Sequence, residues 1–157
     1  MRLLWIASLI ALFGCTENDH WEEETIHAYQ SAYNSRRLVY RPENQFQGMV
    51  LEFFYADHHL SAYLSLPFAY LPRPKNGSEV ILKVSYGDQV ESLIIHRHKG
   101  GQKFQIPEKA LDRLVKIFEN EREVTLSLSR ISQVIQTHNF EKHLKQLRRR
   151  QLKFITI

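Results

Sequence analysis

Eight histidines, one cysteine and a cluster of C-terminal cations are the residues of this 157-residue chain whose types could do chemistry. Two histidine groupings have ligand-like spacing: His58-His59, and His96-x-His98. Residues two apart on a strand project to one face, so His96 and His98 can both offer a ring nitrogen to a metal ion, with Asp57 or one of the other pair completing the shell. No cysteine pair and no HExxH accompanies them. Nucleophilic chemistry has less to work with. There is no GxSxG elbow, the single thiol is Cys15, and Gly100-Gly101 lacks the spacing of a phosphate loop or dinucleotide fingerprint. Carboxylates are scattered with no pairing that spacing supports. The chain is therefore expected not to be an enzyme and to carry no cofactor.

Charge is the stronger lead. The formal +4 hides a division, because residues 15–24 hold five acidic residues and no Lys or Arg, whereas residues 25–157 hold twenty basic against twelve acidic. Lys145, Arg148, Arg149, Arg150 and Lys153 crowd the C-terminus. Such a patch suits anionic lipid head groups or an acidic partner. It equally suits a solvated helix face whose cations sit at the negative end of the helix dipole.

The apolar residues are concentrated at the start, where eleven of the first fourteen are hydrophobic. Arg2 precedes an apolar run, Leu3 to Phe13, that is shorter than the roughly 20 residues needed to span a bilayer and has signal-peptide dimensions. Leu12-Phe13-Gly14-Cys15 resembles the lipobox of bacterial lipoprotein precursors. The resemblance implies a diacylglycerol on the Cys15 sulfur, cleavage before Cys15, and a membrane anchor in which each buried methylene contributes about 0.8 kcal/mol. Thr16, rather than Asp, follows the cysteine, which in a Gram-negative cell implies the outer membrane. Export removes nucleic acid from the list of partners. A lone cysteine also leaves no intramolecular disulfide, so packing must hold the domain.

The elements that would position these residues follow from periodicity. Residues 15–35 are expected to be an acidic tether or to contain a short helix over about 21–34, with Asp19 and Glu22 at capping-box spacing. Leu38-Val39-Tyr40, flanked by arginines and stopped by Pro42, fits an edge strand. From residue 46 the period is two: Met49, Leu51, Phe53 and Tyr55, then Leu60, Ala62, Leu64 and Leu66, predict a hairpin. Tyr63, Phe68, Tyr70 and Leu71, around a proline-rich connection, offer an apolar contact surface. Val80 to Tyr86 and Val90 to His96 predict a second hairpin through Gly87-Asp88. Phe104 to Ile106 predicts a short strand, and Pro107 starts a helix to about 119 with its apolar stripe at Ala110, Leu111, Leu114, Val115 and Phe118. Val124 to Leu128 and Ile131 to Gln136 make a further strand pair. Thr137 or Asn139 caps a last helix with Phe140, Leu144 and Leu147 inward, and Leu152 to Ile157 is β-prone.

These expectations describe a mainly β (α+β) chain: signal peptide over 1–14, tether over 15–35, and a single domain over 36–157 built as an antiparallel, two-layer, sandwich-like arrangement with one or two amphipathic helices. The order of hairpin, Pro-started helix, strand pair and Phe140-x-x-x-Leu144 helix is similar to β-sandwich envelope proteins of the invasion-associated locus B type, without the cysteines those proteins often carry. The functional expectation is a lipid-anchored bacterial cell-envelope protein that binds a protein or anionic envelope partner, as an assembly or adhesion component. The alternative is a small envelope enzyme or metal-handling lipoprotein that uses His58, His59, His96 and His98. A further expectation is that the acidic tether folds back on the basic face.

Overall fold

A computed structural model describes residues 19–26, 35–44, 47–56, 58–72 and 77–151, with side chains to 149. The lipobox with Cys15, Asp57, Lys153, the side chain of Arg150 and the β-prone end all lie outside the described residues. Among the described residues, nine strands and two helices follow in the order β1 (Trp21–Ile26), β2 (Ser35–Tyr40), β3 (Val50–Ala56), β4 (His59–Ser65), β5 (Glu79–Tyr86), β6 (Gln89–Arg97), β7 (Lys103–Ile106), α1 (Glu108–Asn120), β8 (Glu123–Leu128), β9 (Ile131–Gln136) and α2 (Phe140–Gln151). The strands form one antiparallel sheet, β1-β2-β3-β4-β7-β6-β5-β8-β9. The fold is thus mainly β, antiparallel and sandwich-like, with both helices packed on one face of the sheet.

Alternation decides which residues face that interior. Leu51 and Phe53 of β3, Ala62 and Leu64 of β4, Leu82 and Val84 of β5, and Leu126 and Leu128 of β8 are fully buried, while exposed Ile81 stands on the opposite face of β5. The helix faces complete the core, through Leu111, Leu114 and Phe118 of α1 and Phe140, Leu144 and Leu147 of α2. Trp21 joins the layers: its ring lies 5.0 Å from Tyr40, 6.0 Å from Phe53, 6.1 Å from Phe118 and 4.9 Å from Phe140. Pro107 sits at the N-cap of α1, one place before the first helical turn.

Residues 21–26 correct the expectation of a tether or helix. In β1, Trp21 points inward, while Glu22 and Glu24 lie opposite Val39 and Arg37 on the outer face. Glu24 pairs with Arg37 and Arg41, and Glu22 meets Arg41 at 3.4 Å. Opposite charges on facing strands favour pairing where helix propensity alone would not. Consequently β2 is an interior strand, and among the described residues the sheet's edges are β1 and β9. The acidic segment does fold back, and among the described residues Glu22 and Glu24 reach the arginines around β2 rather than the cations of α2.

Candidate functional site

The two edges of the sheet meet, and side chains lace them. The Trp21 indole N–H donates to the Gln136 carbonyl at 2.9 Å. Tyr40 donates its hydroxyl to the Val134 carbonyl and accepts the Gln136 N–H, both at 3.3 Å. From β9 the Gln133 side-chain carbonyl accepts the Met49 N–H. Burial raises the Tyr40 pKa, against the Gln136 N–H, with the Glu43 charge adding to the rise. Four hydrogen bonds among the described residues therefore stand where a closed barrel would have a backbone ladder.

The lacing does not reach the β8–β9 turn. There the seam opens into a cavity of about 780 Å³ between β9 and the loops that follow β2 and β4, lined among others by Tyr40, Glu43, Gly48, Phe68, Arg130 and Ser132. Gly48 is required at its wall: its φ is +131°, and a Cβ would stand 2.6 Å from Gln133 Oε1 and 2.9 Å from Pro42 Cβ. Neither Arg130 nor Glu43 has an ion-pair partner among the described residues.

A second cluster ties the start of β1 to α2. Both ring nitrogens of His143 face carboxylates, with Nε2 2.8 Å from Asp19 Oδ2 and Nδ1 3.3 Å from Glu23 Oε1. Asn139 donates to the same Asp19 oxygen at 3.1 Å, and the other oxygen accepts the Trp21 N–H at 3.1 Å. Burial pushes the Asp19 pKa up, but these bonds and the nearby His143 charge outweigh it and hold the carboxyl below its usual range. Asn139 therefore binds Asp19, and the Thr137 hydroxyl donates to the Glu121 carbonyl. Beyond them on α2, Lys142, Lys145 and Arg149 are exposed and Arg148 is half-buried; Lys145 pairs with Glu141.

On the outer face, Glu52 is 6% exposed and lies between Arg37 and Lys103. The Lys103 ammonium stands 4.7 Å from the Tyr63 ring, whose centroid is 5.7 Å from that of His98. Beside the β5–β6 turn, Arg113 of α1 grips Glu91 of β6 and donates to the Tyr86 hydroxyl at 3.1 Å. The hydrogen bonds of Arg113, then of Tyr86, hold Glu91 down at about 2.

The two histidine groupings are not brought together. Tyr63 lies opposite Gln105, which lies opposite His96, whereas His59 is four residues back along β4. At ~3.3 Å per residue and ~4.8 Å between strands, His59 and His96 are roughly 16 Å apart. No ion with bonds of about 2 Å joins them. Among the described residues no group of three or more His, Cys, Asp or Glu could hold a metal. The four apolar contact candidates are likewise dispersed: Leu71 packs on the core, Tyr63 lies under Lys103, Tyr70 is exposed 5.1 Å from the Arg97 guanidinium, and Phe68 lines the seam cavity. Nothing in the sequence marks His143 or Gln133, because their partners are 84 or more residues away.

No described helix is long and apolar enough to cross a membrane. No protein-family model matches the chain, and no curated protein or solved structure is significantly similar to it.

Proposed function

We propose that this protein is a lipid-anchored component of the bacterial cell envelope that works by binding, as an assembly or adhesion component, on the outer membrane where the cell is Gram-negative. The observation that carries the reading is the lipobox-like Leu12-Phe13-Gly14-Cys15, and the position of Asp19 sets where an anchor there would hold the domain. Four residues after the lipobox cysteine, Asp19 is already bonded to His143 and Asn139 of α2. An extended chain covers at most about 3.5 Å per residue, so a lipid on Cys15 would keep this corner of the domain within about 14 Å of its attachment point.

That reach would hold the start of β1 and the N-terminal end of α2 near the head groups. Exposed Lys142, Lys145 and Arg149 then add attraction to anionic lipid, at about 1 kcal/mol each near such a surface. The seam cavity supplies a concave surface for a partner, in the volume range usual for binding sites. Metabolic labelling with an alkyne palmitate analogue tests the anchor. Label and membrane fractionation should both be lost in Cys15→Ala, and their persistence would overturn the localisation.

A further inference from the structure

The open part of the seam has the chemistry of an unfinished sheet. The β8–β9 hairpin turns through Ser129-Arg130, so Leu128 and Ile131 form its first hydrogen-bonded pair, and alternate residues of β9 bond to β8. Ile131, Gln133 and Ile135 face β8 with their backbone groups, whereas Ser132, Val134 and Gln136 turn theirs away. The bonds from Trp21 and Tyr40 to Gln136 and Val134 agree with that phase. Tyr40 takes the Val134 carbonyl, which leaves the Val134 N–H and both backbone groups of Ser132 without a partner among the described residues. Ser132 and Val134 are exposed, and both line the cavity.

Unpaired edge groups beside a groove are the arrangement to which an extended peptide adds as a strand. Charge narrows the ligand. Arg130 stands at the turn end of β9 and Glu43 belongs to the loop that lines the same cavity, and neither is neutralised by another described side chain. We propose that β9 binds an extended peptide of a partner protein as a tenth strand: it exchanges both backbone bonds with Ser132, accepts the Val134 N–H, and presents an acidic side chain to Arg130. Tyr40 ends the site by occupying the Val134 carbonyl. The inference names the partner class for the binding role proposed above, but it needs no lipid, so loss of the anchor reading would leave it standing.

The test uses the full chain in detergent micelles. The probe is a capped, fluorescein-labelled nonapeptide of alternating threonine and valine with a central glutamate. It should bind and slow amide exchange at Ser132 and Val134. The same peptide N-methylated at alternate residues of its bonding edge, and a version with lysine for glutamate, should each bind at least tenfold more weakly. Val134→Pro deletes an N–H outside the β8 ladder and should cost at least tenfold. Arg130→Glu should reverse the preference toward the lysine peptide, and it decides the matter if Val134→Pro does not fold. Equal affinity for the N-methylated peptide, or no binding at millimolar probe, would overturn the proposal. So would Ser132 and Val134 amides that are already protected in the free protein, since a segment of this chain or a second copy would then occupy the edge.

Discussion

The Tyr40 hydroxyl of β2 accepts the backbone N–H of Gln136 in β9 at 3.3 Å, joining residues 96 positions apart across the sheet's two ends. The same oxygen donates to Val134. Tyr40→Phe keeps the ring packed on Trp21 but leaves the Gln136 N–H and the Val134 carbonyl without this partner. At this length the two bonds belong to the weak end of their range, so the expected loss is about 1 kcal/mol. Urea denaturation measures it, and exchange of the Gln136 amide should quicken in parallel.

Glycine replacements separate backbone strain from crowding. Gly87, with φ +49°, has nothing within 4 Å of a built Cβ, so Gly87→Ala should cost only the left-handed backbone penalty, about 1 kcal/mol. Gly48→Ala adds a collision with Gln133 and Pro42 at a φ of +131° and should cost clearly more than Gly87→Ala. Denaturant midpoints that rank the two the other way would contradict the close packing of the seam wall.

Glu52 offers a graded test of the outer face. Its side chain is 8% exposed and bonded to Arg37 and Lys103, which are 26% and 45% exposed. Arg37 is the less exposed cation and also bonds Glu24, so Arg37→Ala should destabilise by about 2–3 kcal/mol and Lys103→Ala by about 0.5–1 kcal/mol. Calorimetric or chemical unfolding of the two variants checks the order.

Acid should weaken the link between α1 and the sheet. The Glu91 pKa is about 2 in the fold against an ordinary 4.5, so its pairing with Arg113 contributes in full above pH 4.5 and is lost as pH falls toward 2. The stability difference between the wild type and Arg113→Ala should therefore shrink as pH falls through that window. A difference that stays constant from pH 4.5 to 2 would show that Glu91 is not held by Arg113 in solution.

The proposed membrane-facing side makes a salt-dependent prediction. Replacing Lys142, Lys145 and Arg149 with glutamine should weaken association with phosphatidylglycerol-containing vesicles by about 1 kcal/mol per residue. The loss should vanish in high salt, where surface charges are screened. Co-sedimentation at two ionic strengths reads both effects.

The legible parts of this fold are those built by neighbours. The β3–β4, β5–β6 and β8–β9 hairpins were readable from alternation, and both helices from their apolar stripes, because each pattern is complete within one short segment. β1 was hidden by Glu22-Glu23-Glu24, a run that looks solvated until Arg37 and Arg41 are placed opposite it. Nothing local marks Gln133 or His143 as partners of Met49 and Asp19, so the seam and the α2 clasp depend on the three-dimensional closure. The two histidine groupings lie apart for the same reason in reverse, since their spacing says nothing about strand order.

The seam also has a consequence in time. Hairpins close over a few residues, whereas the bonds of Trp21, Tyr40 and Gln133 across the seam join residues 84 to 115 apart. Loop-closure entropy places such contacts after the local ones, so the curled sheet should be assembled before its edges are fastened. A variant such as Tyr40→Phe would then leave the folding rate nearly unchanged and speed unfolding. The fastening governs how long the domain stays closed, not how quickly it forms.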